Sequence, residues 1–234
     1  MRIVTFFLAV FAVVFISISD AAAVSVMFNP VDDRWALGTI PYGGGVGADL
    51  QPDGTFLQVG NAFVSGQAPI TGEYRAALEF NLSSLSGAAT SWTLQLTPAA
   101  TQAVTNLNVY GYFGNGTVDL SDMLHTSTLV ASGTIPPFTS GTPLSLDVTS
   151  FVQAAITGGQ NVLGFTLLNP SIIANNPALY TQIASRNNAT AEWRPALAAE
   201  MVAPVPVPAA AVLFCSGLLG LVGIARRATR QPEA

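Results

Sequence analysis

A two-residue alternation of apolar and polar side chains runs through the middle of this 234-residue chain. It is clearest over residues 73–80 (Glu-Tyr-Arg-Ala-Ala-Leu-Glu-Phe), where every even position is apolar. Successive side chains of a β-strand point to opposite faces, so the pattern predicts a strand with one buried face and one face in solvent. Both acidic residues of this segment, Glu73 and Glu79, fall on the predicted solvent face.

Further segments show strand signals and are separated by clusters of glycine and proline. They are 55–59, 91–97, 106–113, 127–131, 143–148, 161–168, 178–184 and 194–201. About eight to ten short strands with turns between them, and no regular alternation with helices, predict an all-β fold of the sandwich or barrel type.

One segment departs from the strand pattern and predicts a short helix. Ser150 and Gln153 have the spacing of a capping box, in which each side chain bonds the backbone amide of the other. Phe151, Ala155 and Ile156 would face the core, and Gly158 would end the helix.

Both ends of the chain have the composition of targeting segments. Met1 and Arg2 form a short positive region, an apolar run follows as far as Ser19, and 21–23 supplies the small residues of a cleavage site. This order predicts a secretory signal peptide over residues 1–23. An uncleaved N-terminal anchor is the alternative, but small residues, not a basic stop, follow the apolar run.

The segment 24–203 is long enough for one domain with its own core. It has eleven acidic residues, four arginines and no lysine. Such a surface would repel the phosphates of nucleic acid and of anionic lipid headgroups, so neither is an expected partner. The one cysteine, Cys215, lies in the C-terminal tail, so the predicted domain has neither a disulfide nor a thiol nucleophile.

The C-terminal tail reads as an extended segment followed by a membrane-length helix. Residues 209–225 contain 17 positions without a charge, and a helix of that length spans about 26 Å of a ~30 Å bilayer core. The prolines at 204, 206 and 208 favour extended backbone before it. An arginine cluster follows at 226, 227 and 230. Because basic residues stay on the cytoplasmic side, the domain is expected on the outer side.

This tail resembles the PEP-CTERM sorting signal of Gram-negative bacteria over residues 204–230, and Val-Pro-Val-Pro-Ala at 205–209 is similar to its VPLPA variant. The resemblance implies recognition by an exosortase, a membrane cysteine transpeptidase, with cleavage near the Pro-x-Pro and loss of the helix. The residues it assigns to recognition and cleavage are Pro206, Val207, Pro208, Arg226 and Arg227. Val207 replaces the glutamate of the commonest form, which leaves the particular sorting enzyme open. A plain C-terminal anchor is the alternative.

A second resemblance concerns the predicted domain, which is similar to DNRLRE-type jelly-roll domains. Residues 74–85 resemble their R-x-x-L-x-F-D-L-S-S-L strand, with Asn81 in place of the usual aspartate. The other matching segments are 146–152 (D-V-T-x-x-V), 161–168 (G-F-x-L), 184–186 (S-R-E) and 194–197 (R-P-x-L). A tryptophan-rich middle motif of the family is missing. The resemblance implies a two-sheet antiparallel β-sandwich of a kind that in some secreted bacterial proteins binds carbohydrate.

Few side chains of the predicted domain could support catalysis. A Ser-His-Asp or Cys-His site needs a histidine as base, and the chain has only His125, in a polar segment. Glu73 and Glu79 would stand about 20 Å apart along one strand, too far for a glycosidase pair. We therefore expect no catalytic residue.

No cofactor or metal centre is expected either, because zinc would require several histidine or cysteine ligands. The only dense acidic pairs are Asp32 with Asp33 and Asp119 with Asp122. Each could contribute oxygen ligands to calcium, or simply lie in a solvated loop.

Two aromatic residues give the best sequence hint of a binding surface. Tyr110 and Tyr112 lie on the face of their strand opposite its apolar residues, about 7 Å apart. Flat aromatic rings can stack on sugar rings. The alternative is that this face packs against the second sheet or a loop.

Together these features predict an exported, non-catalytic protein that is held briefly in the inner membrane and then placed at the cell surface or in the extracellular matrix. Its expected partners are an exosortase-like transpeptidase and exopolysaccharide or biofilm. Two alternatives are a dedicated glycan-binding module and a jelly-roll polysaccharide lyase or hydrolase. The enzyme would use His125 with a tyrosine and an arginine.

Overall fold

Antiparallel β-strands make up most of the regular structure, as the alternation predicts. The computed structural model describes residues 23–39, 49–64, 70–85, 87–101, 105–170 and 180–202, together with Gly217. The strands are β1 (Ala23–Phe28), β2 (Pro30–Thr39), β3 (Asp49–Leu50), β4 (Phe56–Val64), β5 (Ile70–Asn81), β6 (Ala89–Leu96), β7 (Pro98–Thr101), β8 (Thr105–Phe113), β9 (Leu129–Ile135), β10 (Leu144–Asp147), β11 (Val162–Leu168), β12 (Tyr180–Ala184) and β13 (Ala196–Val202). Each of the nine predicted strand segments overlaps one of them.

Most of the two targeting segments lies outside the described residues. This applies to residues 1–22 and, apart from Gly217, to the whole predicted sorting signal. Within the part of the chain that is described, no helix has the length and apolar character needed to span a bilayer. Residues Val24–Met201 form one compact unit.

The strands form two sheets that share one core. The smaller sheet has the order β1-β13-β6-β10, and the larger has the order β7-β12-β4-β5-β11-β8-β9, with β2 and β3 beyond β5. The long strand β5 pairs along one edge with β2, and along the other edge first with β4 and then with β11. After Leu96 the chain leaves the smaller sheet, and two residues later it joins the larger one as β7.

Apolar side chains from both sheets meet between them. Trp92, Leu94 and Leu197 of the smaller sheet pack in one buried cluster with Phe80 and Phe165 of the larger sheet, and each is at most 1% exposed. The core is therefore that of a β-sandwich, in which the inward faces of two sheets interdigitate.

Helix α1 (Thr149–Thr157) begins one residue before the predicted capping residue Ser150. The N–H of Thr149, the first residue of the helix, donates to the carboxylate of Asp147 at 2.9 Å. Gln153 points away from the helix start and donates to Thr90 O at 3.3 Å. The predicted capping box is therefore wrong, because the helix begins upstream of Ser150, which lies within its first turn, and because the Gln153 side chain bonds Thr90 O.

The rest of the helix prediction is confirmed. Ala155 is buried, Phe151 and Ile156 pack against the core, and the helix ends before Gly158, whose N–H donates to Ala154 O at 2.9 Å. Val152, which the sequence reading left out, is fully buried beside them.

The outer face of β5 is covered, not exposed. Glu73 and Glu79 are 2% and 0% exposed, so the prediction that they face solvent is wrong. The segment 114–125, called here the covering loop, lies over this face, and its Val118 and Met123 pack with Ala77 in a second small apolar cluster. Both faces of β5 are thus buried, one by the sandwich core and one by the covering loop.

Candidate functional site

A cavity of about 200 Å³ lies where the chain twice passes from one sheet to the other. One passage is between β1 and β2, and the other is between β12 and β13. The cavity is lined by Asn29, Pro30, Arg186, Asn187 and Arg194. Four of its five lining residues therefore carry amide or guanidinium groups.

The turn from Ser185 to Arg194 is fixed by hydrogen bonds to itself and to the segment before β4. Ser185 N donates to Thr55 O at 3.1 Å, and the Asn188 side chain donates to the same carbonyl at 3.1 Å. Asn188 Oδ1 in turn accepts from Thr190 N at 2.9 Å. Because the backbone of the turn is held at both ends, the cavity wall is formed before any ligand binds.

Arg186, which lines the cavity, is the centre of a partly buried ionic cluster. Its guanidinium contacts Asp53 Oδ2 at 2.6 Å and Asp32 Oδ1 at 3.1 Å, and its Nε lies 3.6 Å from Asp33 Oδ1. Its backbone N–H donates to Asp33 Oδ2 at 2.6 Å, and its side chain also donates to Val31 O. The fork-shaped guanidinium thus forms ion pairs with three carboxylates at once.

The pKa values of Asp33 and Asp53 are shifted in opposite directions. Burial raises the pKa of Asp33 to about 6, although the backbone N–H and the charge of Arg186 oppose the rise. Asp53 is only partly buried, and this burial acts to raise its pKa. Hydrogen bonds from Arg186 and from the side-chain amide of Asn187, together with the charge of Arg186, outweigh the burial and hold the pKa below its usual range. Asp32, only 4% exposed, also accepts from Val118 N at 2.9 Å and so anchors the covering loop.

Arg194 stands apart from the other arginines of the described residues. Its Nε donates to Asn188 O at 2.9 Å, but within the described ranges no carboxylate forms an ion pair with it. The side chain is exposed at the cavity. The cavity therefore presents one positive charge that the protein itself leaves without a counter-charge.

Neither predicted binding tyrosine lines this cavity. Tyr110 is partly buried, and its hydroxyl accepts from Asn108 Nδ2 at 3.2 Å. Tyr112 is only 5% exposed, and its ring is stacked on His125, with centroids 4.8 Å apart and ring planes at 8°. At Tyr112 the face packs against the covering loop, which was one of the two alternatives left open by the sequence.

A second polar cluster lies beneath the covering loop. Glu79 Oε2 accepts from the backbone amides of Asn115 at 3.2 Å and Gly116 at 2.5 Å. Burial raises the pKa of Glu79, and burial together with Asp122 and Glu79 raises the pKa of Tyr112. These contacts hold the loop on the sheet.

His125, the candidate base, is exposed at the end of the covering loop. His125 contacts the face of the Tyr112 ring, while the Tyr112 hydroxyl is buried and out of reach of solvent. Glu73 is buried against Arg75 Nη2 at 2.9 Å. Among the residues described, no group of three or more histidine, cysteine, aspartate or glutamate side chains is placed to hold a metal ion.

The sequence predicted no cavity, and of its described lining residues only Arg186 and Arg194 had been singled out. Asp32 and Asp33 were noted as an acidic pair, and Arg186 and Arg194 as letters of two short motifs. The structure brings both arginines to one cavity and buries the acidic pair behind it. The scarcity of cations was the available signal, because a chain with so few arginines is expected to use each of them for a defined contact.

The predicted sorting residues Pro206, Val207, Pro208, Arg226 and Arg227 lie outside the described residues. Comparison with protein-family models gives no match for this chain, and comparison with curated proteins gives none either.

Proposed function

We propose that this chain is an exported, non-catalytic surface or matrix protein that binds carbohydrate. The observation that carries the proposal is the pre-formed polar cavity lined by Asn29, Asn187 and Arg194. Sugar hydroxyls both donate and accept hydrogen bonds, and side-chain amides offer both functions in one group. Because the turn Ser185–Arg194 is already fixed by hydrogen bonds, little ordering cost remains for binding.

The sandwich is proposed to be a jelly-roll of the DNRLRE type. The segment 74–85 supplies β5 and the turn after it, and the segment 146–152 supplies the end of β10 and the start of α1. The two closing motifs contribute Arg186 and Arg194, which line one cavity although they are eight positions apart. Clustering of motif residues around a cavity supports a shared role in binding.

A non-catalytic role is supported by where the candidate catalytic groups lie. The Tyr112 hydroxyl is buried beneath the covering loop and cannot reach a polysaccharide, and Glu73 and Glu79 are both occupied in buried contacts. The competing hypothesis, a lyase or hydrolase that uses His125, predicts product release from a glycan panel that is lost in His125→Ala. We expect no product from the full chain.

Export and processing rest on the sequence of the two ends. The apolar leader of residues 1–23 and the Pro-x-Pro, apolar helix and arginine cluster of 204–230 support an exosortase-like transpeptidase as processing partner. The domain would be held in the inner membrane until cleavage near Pro206–Pro208, and would then reach the cell surface or matrix.

The glycan part of the proposal is tested by retention on the exopolysaccharide of the producing organism. The full chain should sediment with the insoluble polysaccharide and should be released by soluble fragments of it. No retention above that of an unrelated acidic protein would sink the proposal.

The processing part is tested by a tag at each end of the predicted mature chain. In the producing organism the C-terminal tag should disappear while the tag placed after residue 23 reaches the cell surface. A change of Pro206 and Pro208 to alanine should keep both tags on one polypeptide. Mature surface protein that retains the C-terminal tag would contradict sorting by cleavage and favour a plain anchor.

A further inference from the structure

We infer that the cavity selects a sugar acid, whose carboxylate is bound by the guanidinium of Arg194. This inference rests on the proposed carbohydrate-binding function and adds the chemical class of the sugar. It follows from the unpaired charge of Arg194, from the free N–H donors of its guanidinium and from the size of the cavity.

The arginines of the domain differ in whether a carboxylate contacts them. Between Val24 and Ala203 there are eleven acidic residues and four arginines. Within the described ranges three of these arginines contact carboxylates, namely Arg34 on Asp32, Arg75 on Glu73, and Arg186 on Asp32, Asp33 and Asp53. Among the described residues, Arg194 is the one arginine without a carboxylate contact, and it is exposed at the cavity. A carboxylate on the ligand would supply the missing partner.

The free donors of Arg194 suit a carboxylate. Its Nε–H is used by Asn188 O at 2.9 Å, which holds the side chain in one direction. A guanidinium carries five N–H groups, so the two terminal amino groups remain for a ligand. Two parallel N–H donors match the two oxygens of a carboxylate, and such charge-assisted bonds are roughly twice as strong as neutral ones.

The remaining lining groups favour a sugar over a simple carboxylate. Asn29 and Asn187 place amide groups at the same cavity, and these can bond hydroxyls on the ring that carries the acid. The volume of about 200 Å³ is below the roughly 300–1,000 Å³ of pockets for drug-sized ligands, so one sugar unit is the expected occupant.

The acidic character of the domain does not exclude an anionic ligand at this place. Asp53, the exposed carboxylate of the ionic cluster, is paired with Arg186 at 2.6 Å. Asp32 and Asp33, the other carboxylates of this cluster, are paired with Arg34 and Arg186, and none of the three contacts Arg194. More distant acidic residues are screened beyond about 8 Å at physiological salt.

The test measures three ligands against the full chain, purified in a mild detergent, by titration calorimetry or ligand-detected NMR. D-glucuronate carries both the ring and the charge, methyl β-D-glucoside carries only the ring, and acetate carries only the charge. Glucuronate should bind about tenfold more tightly than either of the others, because hydrogen bonds to charged groups contribute more than neutral ones. Equal affinity for glucuronate and the glucoside would overturn the inference, and so would equal affinity for glucuronate and acetate.

Variants of Arg194 test whether this residue binds the carboxylate of the sugar acid. Arg194→Gln should weaken glucuronate binding about tenfold and leave the glucoside unchanged. Arg194→Lys, which keeps the charge but not the fork, should fall between Arg194→Gln and the wild type. The matched control is Arg34→Gln, which removes the same charge outside the cavity lining and should change the affinity by less than about twofold. An equal loss in Arg34→Gln and Arg194→Gln would assign the effect to net charge and overturn the inference.

The outcome is separable from that of the proposed function. If the wild-type chain is retained on the producer's polysaccharide and Arg194→Gln is retained equally, this inference fails and the proposed function stands. If the wild-type chain itself is not retained, the proposed function fails.

Discussion

Arg186 binds Asp33 with both its backbone and its side chain. The backbone N–H donates to Oδ2 at 2.6 Å, and Nε lies 3.6 Å from Oδ1. The two residues are 153 positions apart in the chain. This pair ties the turn after β12 to the middle of β2, and so fixes the back of the cavity.

Removing the guanidinium of Arg186 should cost substantial stability. Arg186→Gln leaves the buried Asp33 carboxylate without its cation, and breaking a buried pair typically costs about 3–5 kcal/mol. Because the Arg186 side chain keeps 28% exposure, we expect the lower end, about 3 kcal/mol, in the free energy of unfolding by urea. Arg34→Gln is the control, since Arg34 has one contact to Asp32 at 3.3 Å and should lose less than about 1 kcal/mol. An equal loss of unfolding free energy in Arg186→Gln and Arg34→Gln would contradict the central role of Arg186 in the ionic cluster.

Stability should rise on mild acidification. Burial raises the pKa of Asp33 to about 6 in the folded protein, whereas an unfolded aspartate titrates near 3.9. The folded state therefore binds more protons between about pH 4 and 6, so the contribution of Asp33 is fully present below about pH 4 and is lost as the pH rises through 6. From pH 7 to 4.5 we expect a gain of about 2 kcal/mol from this residue.

Urea midpoints at pH 7, 6 and 5 measure this effect, and Asp33→Asn should flatten the profile. The pKa values of Glu73, Glu79 and Asp122 are raised too, mainly by burial, so they act in the same direction and a smaller slope should remain. A midpoint that falls steadily from pH 7 to 5 would contradict the burial of these carboxylates.

Gly164 should not tolerate a side chain. A Cβ at this position of β11 would overlap three atoms of the Tyr112 ring. The ring cannot move away freely because His125 is stacked on its other face. We expect Gly164→Ala to lower the free energy of unfolding by about 2–3 kcal/mol. Gly54→Ala, where the nearest atom would be 3.8 Å away, should stay within about 0.5 kcal/mol, and a similar loss in both variants would argue against the packing of Tyr112.

The two tyrosines of β8 should behave differently. Tyr112 is 5% exposed, so Tyr112→Ala removes a buried ring and should cost about 3–5 kcal/mol in urea unfolding. Tyr110 is partly exposed, so Tyr110→Ala should cost about 1 kcal/mol or less. Polysaccharide retention should be unchanged in Tyr110→Ala if the cavity, not this face, holds the glycan. Loss of retention in that variant, with folding intact, would return the binding surface to the tyrosines.

The alternation of side chains predicted the strands because it reports a local property, the burial of one face. It failed on the second face of β5, since the covering loop that buries Glu79 lies more than thirty residues further along the chain. A local pattern contains no information about such a contact. Small residues were the available hint. Ala77 packs with Val118 and Met123 of the loop, a Cβ on Gly114 of the loop would meet the Glu79 carboxylate, and Gly164 leaves room for the Tyr112 ring.

The sequence pattern did not predict strand β2, again because a distant contact decides its structure. Its sequence includes Asp32, Asp33 and Arg34 in succession, and three charges in a row are typical of a solvated loop. They occur within a strand because Arg186, about 150 residues away, neutralises the two aspartates there. The candidate site could not be assembled from the sequence, because Arg186 and its carboxylates are brought together only by the pairing of distant strands.

The central claim, that the cavity holds a glycan through Arg194, is tested most directly by chemical modification of arginine. In the full chain, phenylglyoxal followed by peptide mass mapping should modify Arg194 faster than Arg34, Arg75 or Arg186, because those three are paired with carboxylates. Soluble fragments of the producer's polysaccharide should slow the modification of Arg194 several-fold and leave the rate at Arg34 unchanged. An unchanged rate at Arg194 with fragments at saturation would contradict the account.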